Sequence, residues 1–278
     1  MEPMTDTAAA PQALAERLAA FHRRREESVL SPKGFLALTN TQWVVSPGGE
    51  TVWNAPGTWF PLPGGEEGLR LEASAEEGVT VDGALVDGAV TVTKTSEIVL
   101  APGVLGTVIG NEDGTEYAVR VWDSGADDRE RFGSISRYDY SPDWVIQAAF
   151  TPVEGLSVGF EHTRDQGNER EEEIPGLIKF EKDGVAYELV SFRSGRALQL
   201  VFADATSGDE TYSVGRFLFV APNPDGTITL DFNNALLPPC AFSYSFNCPM
   251  PPKQNRFAVP IRAGEKQVLA KDGALLHA

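Results

Sequence analysis

The sequence has few of the residues that form disulfides or bind transition metals: two cysteines and three histidines among 278 residues. Two cysteines do not make a disulfide framework, so the fold must depend on its hydrophobic core. A zinc site needs three or four His, Cys or acidic ligands, and the chain has no Cys-x-x-Cys pair. We therefore predict neither a metal nor a cofactor.

Long apolar runs and several catalytic signatures are also missing. No stretch reaches the roughly 20 apolar residues of a membrane helix, and the first residues lack the basic and apolar regions of a signal peptide. The sequence has no Walker A motif, no glycine-rich dinucleotide motif and no His-Glu-x-x-His. These absences predict a soluble, cytoplasmic protein without membrane contact, and they leave any reaction undefined.

Basic residues are also few relative to acidic ones. Forty acidic residues against 23 basic ones give a net charge of −17, and no Lys/Arg cluster is large enough to reverse that field locally. Such a surface repels phosphate backbones, so we predict no nucleic-acid partner. The oligomeric state is left open.

One amphipathic helix precedes a long region typical of β structure. Leu14, Leu18 and Phe21 recur at helical spacing, which predicts a helix over residues 11–28 after a disordered tail at 1–10. Beyond it, short β-rich runs alternate with Gly, Asp and Pro turns. We expect an N-terminal β unit over residues 29–124, a C-terminal β unit over 125–266 and a tail over 267–278.

Asp-Gly pairs mark the expected hairpins, because both residues suit the positive φ angles of tight hairpin turns. Asp113-Gly114, Asp183-Gly184 and Asp225-Gly226 each separate two β-rich runs. The last of them is predicted to join residues 217–220 to residues 227–232. The expected fold is mainly β, an antiparallel sandwich or partly open barrel built of hairpins, with one N-terminal helix.

Residues 231–256 form a segment without helical or strand periodicity that holds both cysteines and five of the 19 prolines. A loop of this length in a compact domain is usually functional or disordered. Its many aromatic and aliphatic residues argue against disorder. We therefore expect an ordered, irregular segment that walls a site.

Cys240 and Cys248, both in this segment, allow three interpretations. They are two buried free thiols, or a disulfide that closes a small ring, or a pair in which Cys240 is a nucleophile activated by a nearby positive charge. The spacing Pro249-x-x-Pro252 followed by Lys253 is like that of polyproline ligands, although in this context it more often stiffens a loop.

Specific motifs in the C-terminal half resemble those of a known family. They are Thr211-Tyr-Ser-Val-Gly-Arg-Phe-Leu, Leu230-Asp-Phe-Asn-Asn-Ala, Pro238-Pro-Cys-Ala-Phe, Asn247-Cys-Pro-Met-Pro-Pro, Asn255-Arg and Ile261-Arg-Ala-Gly-Glu-Lys. The chain is similar there to the uncharacterised bacterial and archaeal family called domain of unknown function 1684. The likeness also reaches upstream to the run that begins at Leu30.

The family name implies no activity, but the resemblance joins a set of polar residues into one signature. The candidate ligand-binding residues are Tyr212, Arg216, Asp231, Asn233, Asn255 and Arg256. In one hypothesis they line a polar pocket walled by residues 231–256. That pocket binds a small anionic ligand through the arginines, with Asp231 as a candidate general base and Cys240 as a candidate nucleophile.

In the alternative hypothesis the same residues form a buried polar lock in a non-catalytic structural or interaction protein. Arg216 or Arg256 would then pair with Asp231 and hold the long segment against the sheet, since buried charges need partners. An open concavity with exposed arginines would support the pocket, and complete burial with mutual pairing would support the lock.

Overall fold

The structure, a computed structural model, describes residues 9–164 and 170–277. They form two compact units that divide between Arg131 and Phe132, later than the predicted boundary at residues 124 and 125. The fold is mainly β, as predicted, and in the described residues its antiparallel sheets are open rather than closed into a barrel. No described helix is both long and apolar enough to cross a membrane.

From residue 9 onward, where the structure describes it, the N-terminal unit contains one long helix and ten strands. They are α1 (Ala9–Val29), β1 (Leu38–Val44), β2 (Glu50–Val52), β3 (Ala55–Pro61), β4 (Leu69–Ala73), β5 (Thr80–Val81), β6 (Ala84–Leu85), β7 (Gly88–Val92), β8 (Ile98–Ala101), β9 (Val104–Gly110) and β10 (Tyr117–Asp123), followed by the short helix α2 (Asp127–Arg131). One sheet has the order β1-β10-β9-β8-β5-β6 and the other β2-β3-β4-β7. A core that includes Trp59, Leu71 and Val119 joins the two sheets.

Helix α1 confirms the predicted N-terminal helix and begins slightly earlier than expected. The predicted tail at residues 1–10 lies outside the described residues, except for Ala9 and Ala10, which open the helix. Leu18 and Phe21 are half-buried, whereas Arg17 and Arg23 are exposed. The described part of α1 is therefore amphipathic in the sense that its spacing predicts.

The described residues of the C-terminal unit form eleven strands in four sheets. They are β11 (Phe132–Arg137), β12 (Val145–Pro152), β13 (Ser157–Phe160), β14 (Arg170–Glu173), β15 (Gly176–Lys182), β16 (Val185–Val190), β17 (Phe192–Ser194), β18 (Ala197–Phe202), β19 (Arg216–Val220), β20 (Thr227–Asp231) and β21 (Glu265–Ala270). The sheets have the orders β16-β15-β12-β20, β17-β18-β19, β13-β14 and β11-β21. Phe202, Phe232 and Phe257 meet edge to face in the core of this unit.

Two of the three predicted hairpins are confirmed and the third is wrong. Strands β9 and β10 pair across Asp113-Gly114, and β15 and β16 pair across Asp183-Gly184. At Asp225-Gly226 the chain turns, but β19 pairs with β18 and β20 pairs with β12. The second edge of β19 is instead occupied at Phe217 by Leu236, so the turn carries the chain from one sheet to another.

The segment 231–256 and the residues after it contribute more to the core and to the sheets than their sequence indicates. Three short 3-10 turns (Phe232–Asn234, Pro239–Ala241 and Lys253–Asn255) punctuate the segment, and Phe232, Leu237 and Phe242 are buried in the core. The predicted C-terminal tail from residue 267 is wrong in its first part, because β21 runs to Ala270 and pairs with β11.

Candidate functional site

Arg216 is the centre of a fully buried polar cluster. It opens β19, and its side chain has no exposed surface. Its Nη2 atom donates to Oδ2 of Asp204 at 2.7 Å and to the carbonyl of Ile261 at 2.8 Å. Its Nη1 atom donates to the carbonyls of Ala263 and Glu265. Burial lowers the pKa of the guanidinium, and the Asp204 carboxylate acts in the opposite direction.

The partners of Arg216 are themselves fixed by further hydrogen bonds. The other oxygen of Asp204 accepts from the backbone and hydroxyl of Thr206, at 2.8 and 2.6 Å, and from the backbone of Ile261. The buried carboxylate of Glu265 accepts from the backbone N–H of Leu237 at 2.7 Å. We call Asp204, Thr206, Arg216 and Glu265 the arginine cluster. It ties β19 and the turn after β18 to residues 237 and 261–265.

The arginine cluster corrects the expected pairing of Arg216 with Asp231. The acidic partner is Asp204, because the turn after β18 brings that carboxylate against the start of β19. Complete burial also leaves Arg216 without a surface through which to contact a ligand. The arrangement of the buried signature residues is therefore the one that the buried polar lock hypothesis predicts.

Asp231 and Asn233 stabilise the turn at the end of β20 rather than face an open pocket. Asp231 accepts from the backbone and side chain of Asn233 and from the side chain of Asn234. The amide of Asn233 bonds both backbone groups of Ser141, at 2.8 and 2.9 Å. These contacts occupy both oxygens of Asp231. The residue predicted as a candidate general base therefore caps the 3-10 turn Phe232–Asn234.

Asn255 joins two sheets through its side chain. It is fully buried, donates to the carbonyls of Val190 and Val201 at 2.8 Å each, and accepts from the backbone N–H of Val190 at 3.0 Å. Val190 ends β16 and Val201 lies in β18. Asn255 therefore replaces the ladder hydrogen bonds that an irregular segment cannot make for itself.

The two cysteines form no disulfide, and their buried thiols lie next to each other. The backbone N–H of Cys240 donates to Sγ of Cys248 at 3.2 Å, and the hydroxyl of Tyr212 donates to the carbonyl of Cys240 at 3.0 Å. Hydrogen bonds from the Cys248 thiol and from Tyr212 lower the pKa of the Cys240 thiol, although burial opposes them. Burial also raises the pKa of Tyr212. This geometry favours the first interpretation of the pair.

Arg256 is the one predicted ligand-binding residue that is exposed, and it lines an open groove of about 470 Å³. One wall is the segment Met250–Gln254 with Arg256, and the other is β13 continued by Glu161. We call this concavity the groove. Lys253 and Gln254 are exposed with Arg256, whereas Pro251 and Pro252 are buried beneath them.

Sequence reasoning missed the β13 wall of the groove, although a signal for it exists. Gly155-Leu-Ser157-Val-Gly159 matches the Gly-x-Ser-x-Gly pattern of the hydrolase nucleophile elbow. That elbow needs a turn between a strand and a helix. Here Ser157 opens an antiparallel strand, and the chain continues as a strand to Phe160. The pattern therefore coincides with residues that line the groove, but Ser157 does not have the geometry of a nucleophile elbow.

The groove and the arginine cluster together define a class of protein. It is a mainly β protein in which a buried ionic network stabilises an irregular segment whose outer end walls a cationic groove. The chain belongs to the family described as Protein of unknown function (DUF1684), which matches residues 130–266. The match covers the C-terminal unit as far as residue 266, and the upstream resemblance near Leu30 lies outside it.

A solved structure is similar to part of this chain. It is the solution NMR structure of an uncharacterized protein of Haloarcula marismortui, 33% identical over 49% of this chain and 77% of that one, with a TM-score of 0.41. Among curated proteins, no sequence matches this chain.

Proposed function

We propose that this protein binds a small anionic ligand in the groove through Arg256 and Lys253. The observation that carries the proposal is the charge of the groove wall. In a chain of net charge −17, two exposed cations line one concavity, and neither forms an ion pair with a described residue. Carboxylates and phosphates are the ligands that an arginine fork binds best.

The backbone around Arg256 is held rigidly, which supports a binding role for its side chain. Its neighbours Asn255 and Phe257 are buried, and both bond Ala203: the N–H of Ala203 donates to the carbonyl of Asn255, and the N–H of Phe257 donates to the carbonyl of Ala203, at 3.1 and 2.8 Å. A preformed wall loses less conformational entropy when a ligand binds. The buried signature residues thus support the groove without touching the ligand.

Glu161 limits the charge that the ligand carries. Glu161 lines the groove where β13 ends, and its negative charge offsets part of the positive charge of Lys253 and Arg256. We therefore expect a singly or doubly charged anion with a neutral portion near Glu161, rather than a polyanion.

A non-catalytic structural or interaction protein is the second candidate. The observation that favours it is the arginine cluster, in which Arg216, Asp204 and Glu265 are buried and bonded to one another or to the backbone. In that case the signature serves folding alone, and the groove has no ligand.

Calorimetric titration with succinate and with inorganic phosphate separates the two candidates. We expect the wild-type protein to bind at least one of these anions, and Arg256→Gln or Lys253→Gln to weaken binding about tenfold, as for loss of one charge-assisted hydrogen bond. Arg196→Gln, an exposed arginine outside the groove, is the matched control. Absence of binding, or equal weakening by the control, would favour the structural alternative.

A further inference from the structure

We infer that the groove binds an extended peptide segment that adds a strand to β13 and places a carboxylate on Arg256 or Lys253. This inference rests on the proposed function and names the class of its ligand. It follows from the direction of backbone groups on β13, from two prolines opposite that strand, and from the charge of the groove.

The backbone N–H and C=O groups of successive β13 residues point alternately toward β14 and toward the opposite edge of the strand. The N–H of Ile174 donates to the carbonyl of Leu156 at 2.9 Å, so the even-numbered residues bond toward β14. The odd-numbered residues point the other way: Glu161 accepts from the N–H of Met250 at 2.7 Å, and Thr163 donates to the carbonyl of Cys248 at 2.9 Å. By this alternation, the backbone groups of Ser157 and Gly159 point toward the groove.

Pro251 and Pro252 end the ladder of hydrogen bonds at the place where the groove begins. His162 lies opposite Pro249 in an antiparallel bridge, and this register, continued, would place Pro252 opposite Gly159. Proline has no N–H to donate, and Pro252 instead precedes the 3-10 turn Lys253–Asn255. In the described part of the chain, the segment after Met250 supplies no backbone hydrogen bond to Ser157 or Gly159.

The groove is therefore an open strand edge with cations on its opposite wall. From Ser157 to Glu161 the edge spans about 13 Å, which suits an extended peptide of roughly four residues. Lys253 and Arg256 favour a peptide with a carboxylate at its end or on a side chain. A second copy of this chain fits less well, because two molecules of net charge −17 repel each other.

Backbone methylation of a peptide tests strand addition on the unaltered protein. The probe is acetyl-Thr-Val-Thr-Val-Asp, measured by calorimetry beside two variants that are N-methylated at both Val amides or at both Thr amides of residues 1 and 3. An added strand uses one alternate set of amides, so we expect one variant to lose at least tenfold in affinity and the other to bind nearly as well as the parent. Equal affinities, or no binding of the parent peptide, would overturn the inference.

Ser157→Pro tests the same edge from the side of the protein, since it removes one backbone N–H that points into the groove. Ser157 is the first residue of β13, a position where proline is tolerated. Ser157→Ala, which keeps the N–H, is the matched control. We expect Ser157→Pro to weaken peptide binding at least fivefold relative to Ser157→Ala, and equal affinities of the two variants would contradict strand addition at this edge.

The outcomes separate the inference from the proposed function. If the peptide depends on Arg256 but not on its own amides or on Ser157→Pro, the strand addition is wrong and the anion site stands. If Arg256→Gln changes neither anion nor peptide binding, both are wrong. A dimer in light scattering that Ser157→Pro converts to a monomer would also overturn the inference in favour of a second copy.

Discussion

The Nη2 atom of Arg216 lies 2.7 Å from Oδ2 of Asp204, and neither side chain has any exposed surface. Burying two charges is costly unless they pair and their remaining hydrogen-bonding groups find partners. Here the guanidinium also bonds three backbone carbonyls, and the carboxylate also bonds Thr206 and Ile261. The ion pair is thus the centre of a network that holds residues distant in sequence.

Breaking that ion pair should destabilise the protein strongly. We expect Arg216→Met to lower the free energy of unfolding by about 3–5 kcal/mol, because the Asp204 carboxylate stays buried without its cation. Urea denaturation followed by circular dichroism measures the change. Arg256→Met, at an exposed arginine, should change stability by less than about 0.5 kcal/mol. Similar losses in the two variants would contradict the assignment of Arg216 to a structural network.

Removing the Asn255 side chain should be nearly as damaging. Asn255→Ala leaves backbone groups of Val190 and Val201 buried without partners, at about 1–3 kcal/mol for each group. We expect a loss of at least 2 kcal/mol in the free energy of unfolding, measured in urea. Gln254→Ala, one residue earlier and exposed, is the control and should be nearly neutral. A mild effect of Asn255→Ala would show that water replaces these hydrogen bonds.

The thiol pair should react slowly in the folded protein. Cys240 and Cys248 are each only 3% exposed, so a bulky maleimide should label them within minutes in urea and much more slowly in native buffer. Two labels per chain in urea without reductant would confirm free thiols. No label there, with two after reduction, would show a disulfide and overturn the interpretation.

Cys248→Ala should raise the pKa of the Cys240 thiol, because it removes the hydrogen bond that contributes most to lowering it. The rate of iodoacetamide labelling as a function of pH measures this pKa in the variant, and Tyr212→Phe should shift it in the same direction. An unchanged or lower pKa in Cys248→Ala would show that the two thiols do not interact.

A surface carboxylate should titrate far below its usual range. Arg262 bonds both oxygens of Glu210 and the hydroxyl of Tyr138 donates to one of them, which lowers the pKa of Glu210 to about 2. Since the folded pKa is lower than the unfolded value of about 4.3, the stabilisation is present above pH 5 and is lost as the pH falls toward 2. Carbon NMR of the Glu210 carboxylate measures the titration.

Arg262→Gln should return the pKa of Glu210 toward 4 and flatten the acid dependence of stability between pH 5 and pH 2. Arg196→Gln, at an exposed arginine that is not among the groups lowering the pKa of Glu210, should leave both unchanged. A Glu210 pKa that stays near 2 in Arg262→Gln would show that Tyr138 alone is sufficient to lower it.

Much of the fold could be read from local patterns. The helical spacing of Leu18 and Phe21 predicts α1, and Asp113-Gly114 and Asp183-Gly184 predict two hairpins. At Asp225-Gly226 the same reasoning finds the turn but not the pairing. The edge of β19 is taken by β18 on one side and by Leu236 on the other, and turn residues carry no information about which strand competes for an edge.

The candidate site was predicted less completely. The signature named Arg216, Asn255 and Arg256 together, yet two of these side chains are buried and one is exposed. Asn255 and Arg256 are adjacent in the sequence, and nothing in their residue types decides which of them turns inward. Ser157 lies in a recognisable glycine motif, but its place on the groove depends on where β13 ends beside the prolines of the opposite wall.

By itself the sequence determined the β class, the N-terminal helix, the two hairpins and the family, because hydrophobic period, turn chemistry and signature motifs are properties of neighbouring residues. Only the tertiary structure decided that Arg216 pairs with Asp204 and that Arg256 faces a groove. Those outcomes depend on which backbone groups, distant in sequence, still need a hydrogen-bond partner once the sheets have packed. Which groups these are is defined only in the folded chain.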